Sequence, residues 1–289
     1  MSWRDIVIAS SAKLDYQLGF MVVRGTGVTK VHLGEIRSLL IENTSVSITT
    51  ALLSELIKKK VKVVFCDEKR NPMSELVSYY GSHDTSMKIR TQISWQEDVK
   101  KLVWTEIVTE KIRKQAELLS EGKKSEAAML ASYINEIEFD DATNREGHAA
   151  KVYFNALFGM DFSRSTENNI NAALNYGYSV ILSAVNRAIS INGYITQLGI
   201  HHDNMFNQFN LGSDLMEPFR PIVDRMVLNM KLDRFEHNEK IEILNLMHHE
   251  VRIAERMEYL CNAIDIYVRS VFDALNENDV SLIKFYQNE

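Results

Sequence analysis

Apolar and polar positions follow two different periods along the chain. Up to about residue 80 the apolar residues come in short runs rich in Val, Ile and Phe, bounded by turn formers. Strands are predicted at residues 5–9, 18–24, 29–33, 46–48, 61–67 and 76–80. Gly25-Thr26-Gly27 supplies a hairpin turn between the second and third of these. One helix interrupts them at residues 49–60, where Leu52, Leu53, Leu56 and Ile57 recur at helical spacing. It closes on Lys58-Lys59-Lys60, and cations suit a helix C-terminus. Residues 81–86, Gly-Ser-His-Asp-Thr-Ser, are polar and turn-forming. Beyond them the period becomes helical. Ile89, Ile93, Val99, Leu102, Val103, Ile107, Val108 and Ile112 mark one long helix reaching about Leu119. Further helices are predicted at 125–136, 144–158, 168–193, 213–230, 240–247, 250–275 and 279–286. Leu174, Ile181, Val185 and Ile189 form the buried stripe of the fourth of the helices beyond residue 88. The fold class expected is α+β. A small β-rich, β-sandwich-like domain (1–80) is followed by a linker (81–88) and a larger all-α domain (89–289).

Composition agrees with this order. In 289 residues there are only 3 prolines and 12 glycines, and 45% are hydrophobic, which suits a helix-rich globular chain with a real core. The formal net charge of −6 argues against a generally basic, nucleic-acid-coating surface and leaves room for a local basic groove. Cys66 and Cys261 lie in apolar surroundings and read as buried thiols of a reducing compartment. The N-terminal residues lack a signal-peptide pattern, and no apolar run approaches bilayer length, so a cytoplasmic protein is expected. Lys88, Arg90, Lys100, Lys101, Lys111, Arg113 and Lys114 line the long helix. Because Glu97, Asp98, Glu106 and Glu110 are interleaved with them, they read as a solvated face.

Candidate chemistry gathers in two stretches. Residues 199–225 hold His201, His202, Asp203, Asp214, Glu217 and Asp224, with Pro218 and Pro221. The prolines confine a helix here to an irregular beginning, and Ser213 is the expected N-cap. Imidazole and carboxylate so close together suit a divalent metal, and equally a surface connection. In an extended loop the two histidines face opposite ways, so only one can be a ligand. The second stretch runs from Thr143 to Phe154. Thr143 and Glu146 have the spacing of a capping box. Gly147 beside Glu146 costs roughly 1 kcal/mol of helix stability relative to Ala, and Ala149 and Ala150 clear the face around Glu146 of bulk. Capping and catalysis both remain open for Glu146. The His248-His249-Glu250 doublet reads as surface.

Glu146-Gly-His-Ala-Ala-Lys-Val-Tyr-Phe154, Leu174-Asn-Tyr-Gly-Tyr178, Gly199-Ile-His-His202 and Phe209-Asn-Leu-Gly-Ser-Asp-Leu-Met-Glu-Pro-Phe-Arg-Pro-Ile-Val-Asp224 together resemble the CRISPR-associated integrase that captures new spacers. The likeness covers essentially the whole chain and is closest to the type II-A branch. It implies a metal-dependent DNA endonuclease and integrase. The 3′-hydroxyls of a protospacer duplex would be joined by transesterification to the leader-repeat of a CRISPR array. It implies three catalytic metal ligands, Glu146, His202 and Glu217, and Mg²⁺ or Mn²⁺ as the ion, with Asp214 assisting from behind. No motif assigns phosphate contacts; Arg220 and Lys151 are the candidates, and a structural pairing with Asp224 is the favoured reading for Arg220. It also implies double-stranded DNA as substrate and a homodimer paired through the β-rich domain. A small dimeric adaptation subunit and further type II-A subunits are the other implied partners. Two other readings use the same residues. One is a nuclease without strand transfer. The other is a non-catalytic helical scaffold in which Glu146 is a cap, Glu217 a surface acid and His202 solvated.

Overall fold

The computed structural model describes residues 4–68, 70, 72–76, 84–230 and 232–288. The chain divides into two compact units, Met1–Gly81 and Ser82–Glu289.

The first unit holds strands β1 (Arg4–Ile8), β2 (Lys13–Gln17), β3 (Phe20–Arg24), β4 (Val28–His32), β5 (Ile36–Ile41) and β6 (Ser47–Ile48). Helix α1 (Thr50–Lys58) and strands β7 (Lys62–Cys66) and β8 (Pro72–Glu75) complete it. Two four-stranded sheets result, in orders β1-β5-β7-β8 and β4-β3-β2-β6. In the first, β1, β5 and β7 are parallel and β8 is antiparallel. The second carries the expected β3–β4 hairpin, turning at Gly25–Gly27. Both sheets and α1 share one core: Leu14, Met21 and Val31 from one sheet, Leu39, Ile41 and Val63 from the other, Leu52 and Leu56 from the helix. Strands β2, β5 and β8 are absent from the sequence reading. Of the expected strand 76–80, residues 77–80 lie outside the described residues, as do 81–83 of the expected linker. Thr85–Lys88 of that linker belong to the next helix.

The second unit comprises α2 (Thr85–Ile93), α3 (Glu97–Glu121), α4 (Glu126–Ile134), α5 (Arg145–Phe158) and α6 (Asn169–Ile191). Then come α7 (Asn210–Leu215), α8 (Arg220–Met230), α9 (His237–Asn245), β9 (Glu250–Ile253), β10 (Arg256–Tyr259) and α10 (Leu260–Glu277). The predicted stripe of α6 is buried as expected: Leu174, Ile181, Val185 and Ile189 all reach the core.

Three expectations are corrected. The long helix is two helices, broken where Trp95 leaves the helical path. Its indole donates to Asn276 Oδ1 at 2.9 Å, and it packs on Tyr194 and Phe272. The unit is not all-α. Residues 250–259 form an antiparallel hairpin in which Val251 and Ile253 are buried and alternate with exposed Glu250 and Arg252. Its turn residues, Ala254 and Glu255, have φ of 48° and 63°, the left-handed geometry a two-residue hairpin needs. Neither is Gly or Asn, so the usual turn signal was missing. The expected last helix shrinks to one 3₁₀ turn, Val280–Leu282. Gln287 instead pairs with Arg252, and Tyr286 stacks on Phe219 with ring centroids 5.1 Å apart. Cys66 is buried, whereas Cys261 is only partly so. Among the described residues, no helix is long and apolar enough to cross a membrane.

Candidate active site

Glu146 opens α5, and its neighbours decide what it is free to do. Asn144, in the left-handed region at φ 53°, caps the helix by accepting from Gly147 N–H at 3.2 Å. The Asp141 carboxylate accepts from Arg145 N–H at 2.7 Å and from Glu146 N–H at 3.0 Å. These two side chains satisfy the orphan donors of the first turn. The Thr143–Glu146 capping box therefore does not form, and the Glu146 side chain is released. Gly147 belongs to this cap, since a Cβ there would stand 2.8 Å from Asn144 Oδ1. The released carboxylate meets Lys111 Nζ at 2.5 Å.

Glu217 reaches the same ammonium from another direction. Helix α7 starts at Asn210, so Ser213 lies inside it and is not its cap. A 3₁₀ turn, Glu217–Phe219, joins α7 to α8 and absorbs Pro218. At its start Glu217 is buried, not a surface acid. One carboxylate oxygen accepts from Lys111 Nζ, and the other accepts from Arg220 Nε at 2.8 Å. Burial works to raise the Glu217 carboxyl pKa, but Lys111 and Arg220 outweigh it and hold the group below its ordinary value. Burial likewise opposes the Lys111 ammonium, and Glu217 and Glu146 outweigh it and raise its pKa. Arg220 also lies over the Tyr178 ring, 4.7 Å from its centroid. The Arg220–Asp224 pairing considered from sequence gives way to this arrangement. Asp224 instead accepts hydrogen bonds from the hydroxyls of Tyr153 and Tyr178.

The histidine loop is tied to Asp214. That carboxylate is fully buried and accepts from three successive amides, Ile200 at 2.7 Å, His201 at 3.1 Å and His202 at 3.0 Å. It also meets His202 Nδ1 at 2.5 Å. A carboxylate can only accept, so Nδ1 carries the proton and Nε2 is the nitrogen left to act as a ligand. This is how carboxylate–histidine pairs orient metal ligands. The Asp214 hydrogen bond raises the His202 pKa, against the effect of burial. His201 does something else. It stacks on Trp104 with centroids 4.1 Å apart and planes 6° from parallel, and its Nδ1 lies 3.5 Å from Asp140. The two imidazole planes are 88° apart.

Gly199 permits the close seat of this loop. A Cβ there would fall 2.3 Å from the His202 carbonyl oxygen and 2.7 Å from Asp214 Oδ2. Gly199→Ala is expected to lift the loop off Asp214 and weaken Mn²⁺ binding by about 10- to 100-fold, the scale of losing a ligand's outer support. Titration of Mn²⁺ against the folded variant checks this; unchanged affinity would show that the loop tolerates the methyl group.

Lys111 was missed as a site residue. It sits four residues after Ile107 and seven after Trp104, on the buried stripe of α3 and not on its solvated face. Its side chain is 9% exposed against 41% for Lys101. That position on the apolar stripe was the available signal. Lys114 is buried as well, paired with Glu110 and Glu117.

Among the described residues, no three acidic, histidine or cysteine side chains stand at metal-chelating spacing. Two carboxylates nevertheless converge on one cation, and both raise the pKa of His202, whose Nδ1 is already fixed. Two carboxylates and an imidazole are the donor types that suit a hard divalent ion tolerating nitrogen, and Lys111 Nζ sits between the two carboxylates.

Comparison with known proteins identifies the family. Residues 6–248 match the family model described as CRISPR associated protein Cas1. A CRISPR-associated endonuclease Cas1 from Neisseria meningitidis serogroup C (strain 8013) is 32% identical, over 98% of this chain and 96% of its own length. Among solved structures, a casposase bound to integration product superposes with TM-score 0.77 at 17% identity, over 97% of this chain and 93% of that one. A Cas1 protein from Thermotoga maritima gives TM-score 0.68 at 17% identity, over 95% and 97%. A chain of a Cas6-RT-Cas1–Cas2 complex gives TM-score 0.75 at 16% identity, and this chain spans 98% of its own length but 36% of that one. The chain therefore belongs to the CRISPR-associated Cas1 family, the endonucleases and integrases of CRISPR adaptation.

Proposed function

We propose that this protein is a metal-dependent DNA integrase of CRISPR adaptation, joining protospacer 3′-hydroxyl ends to a leader-repeat by phosphoryl transfer. The observation that carries the reading is the convergence of Glu146 and Glu217 on one ammonium, Lys111 Nζ, with the charges of both felt by the His202 imidazole that Asp214 anchors. Glu146, His202 and Glu217 would hold Mg²⁺ or Mn²⁺. Once bound, the ion supplies Lewis-acid activation of the attacking hydroxyl and neutralises charge on the reacting phosphate. The protein's own work is positional. Asp141 and Asn144 free Glu146 from capping, Asp214 holds His202 in one tautomer, and Arg220 keeps Glu217 ionised. Arg220 and the exposed Lys151 are candidates to approach the DNA backbone.

The casposase relative, described as bound to integration product, supports strand transfer over simple cleavage. The Cas6-RT-Cas1–Cas2 complex supports a Cas2-type partner. Pairing of two copies through the β-rich unit, further type II-A subunits and assignment to the type II-A branch rest on the sequence resemblance.

The test is joining of a labelled duplex to a repeat-bearing plasmid, with Mn²⁺ and the partner subunit. Covalently joined product is expected. Cleaved product alone would select the nuclease reading, and neither product would sink the enzymatic one.

A further inference from the structure

Lys111 Nζ bridges carboxylates from two different elements, Glu146 at the head of α5 and Glu217 in the turn before α8. A divalent ion bound by these same carboxylates would need the lone pairs that the ammonium now uses, and would be repelled by it. The bridge has two unlike ends. The Glu217 side chain is 4% exposed and the Glu146 side chain 27%, so the ammonium spans from the buried ligand to the solvent-open one. A phosphate approaching from solvent arrives on the Glu146 side. Lysine carries its charge on a flexible four-carbon stem, so Nζ can turn toward such a phosphate while α3 stays in place. Arg220 Nε donates to the other oxygen of Glu217 at 2.8 Å, so the buried carboxylate has a compensating charge besides the lysine.

We propose that Lys111 is a built-in competitor for the metal. The divalent ion loads fully only when a DNA phosphate draws the ammonium off the carboxylates. Metal loading and DNA binding are thereby coupled, each favouring the other by the same factor. The proposal rests on Glu146 and Glu217 being the metal ligands.

Mn²⁺ affinity, followed by the electron paramagnetic resonance signal of free Mn²⁺, tests it with and without a duplex bearing dideoxy 3′ ends, so that no joining occurs. The full-length parent is expected to bind Mn²⁺ at least tenfold tighter with the duplex than without. Lys111→Met is expected to bind Mn²⁺ without DNA at least tenfold tighter than the parent, and to gain less than threefold from the duplex. If the methionine variant does not fold, Lys111→Gln, which keeps a hydrogen-bonding group and loses the charge, carries the same comparison. A charge-neutral variant that binds Mn²⁺ no tighter than the parent would overturn the proposal, as would a parent indifferent to the duplex. Glu146→Gln separates the two layers: Mn²⁺ affinity unaffected by that change would reject the ligand assignment itself, whatever Lys111 does.

Discussion

Glu217→Ala is expected to cut Mn²⁺-dependent joining by about 10³-fold or more, since a Lewis-acid metal supplies several kcal/mol to phosphoryl transfer. The same change is expected to lower stability in EDTA by about 3–5 kcal/mol, because it strips a buried ion-pair partner from Arg220 and Lys111. Glu217→Gln discriminates between these losses. It keeps an acceptor for Arg220 and costs less stability, yet it forfeits the anionic ligand and should lose joining as completely as alanine does. Urea unfolding in EDTA and the plasmid-joining assay, run on both variants, read the two effects separately. Joining retained by either folded variant would remove Glu217 from the ligand set.

Asp224→Asn should stabilise the protein at neutral pH. The Asp224 carboxyl is fully buried between Tyr153 and Tyr178, and burial raises its pKa from 3.8 to about 6, despite hydrogen bonds from both tyrosines. The raised value means that the folded state binds more protons than the unfolded one between pH 3.8 and about 6. This carboxyl's contribution to stability therefore falls as pH rises through that window and stays low above it. The difference in pKa corresponds to about 3 kcal/mol. Asparagine carries no charge to bury, and it can accept from one tyrosine hydroxyl while donating to the other. The gain of Asp224→Asn over the parent should thus grow from near zero at pH 4 to about 2–3 kcal/mol at pH 7. Urea unfolding of the two proteins at both pH values checks it. A gain that does not change with pH would mean that the parent carboxyl is not buried as a charge at neutral pH.

Much of the fold could be read from periodicity. The burial of Leu174, Ile181, Val185 and Ile189 on α6 followed from spacing alone. So did the Gly25–Gly27 turn between β3 and β4, which turn-forming residues mark locally. Some misses trace to partners distant in the chain, and one to a turn without turn-forming residues. Trp95 leaves the helical path where its indole finds Asn276 on α10. Residues 250–259 have a strand's alternation, yet the register is completed by Gln287 from the chain end. Their turn uses Ala254 and Glu255, which no turn signature would mark.

The same division runs through the site. Composition and order along the chain determined that a carboxylate near a helix start, an imidazole doublet and an acid before proline were available. Only the tertiary structure decided what each does. The Glu146 side chain turns to Lys111 while Asp141 and Asn144 accept the first-turn amides, His202 differs from His201 because Asp214 grips one ring while Trp104 stacks the other, and Lys111 is buried because α3 turns that face inward. Residue type sets which interactions a side chain can make; which it makes depends on partners many positions away in the chain, and spacing along a single sequence carries no record of those.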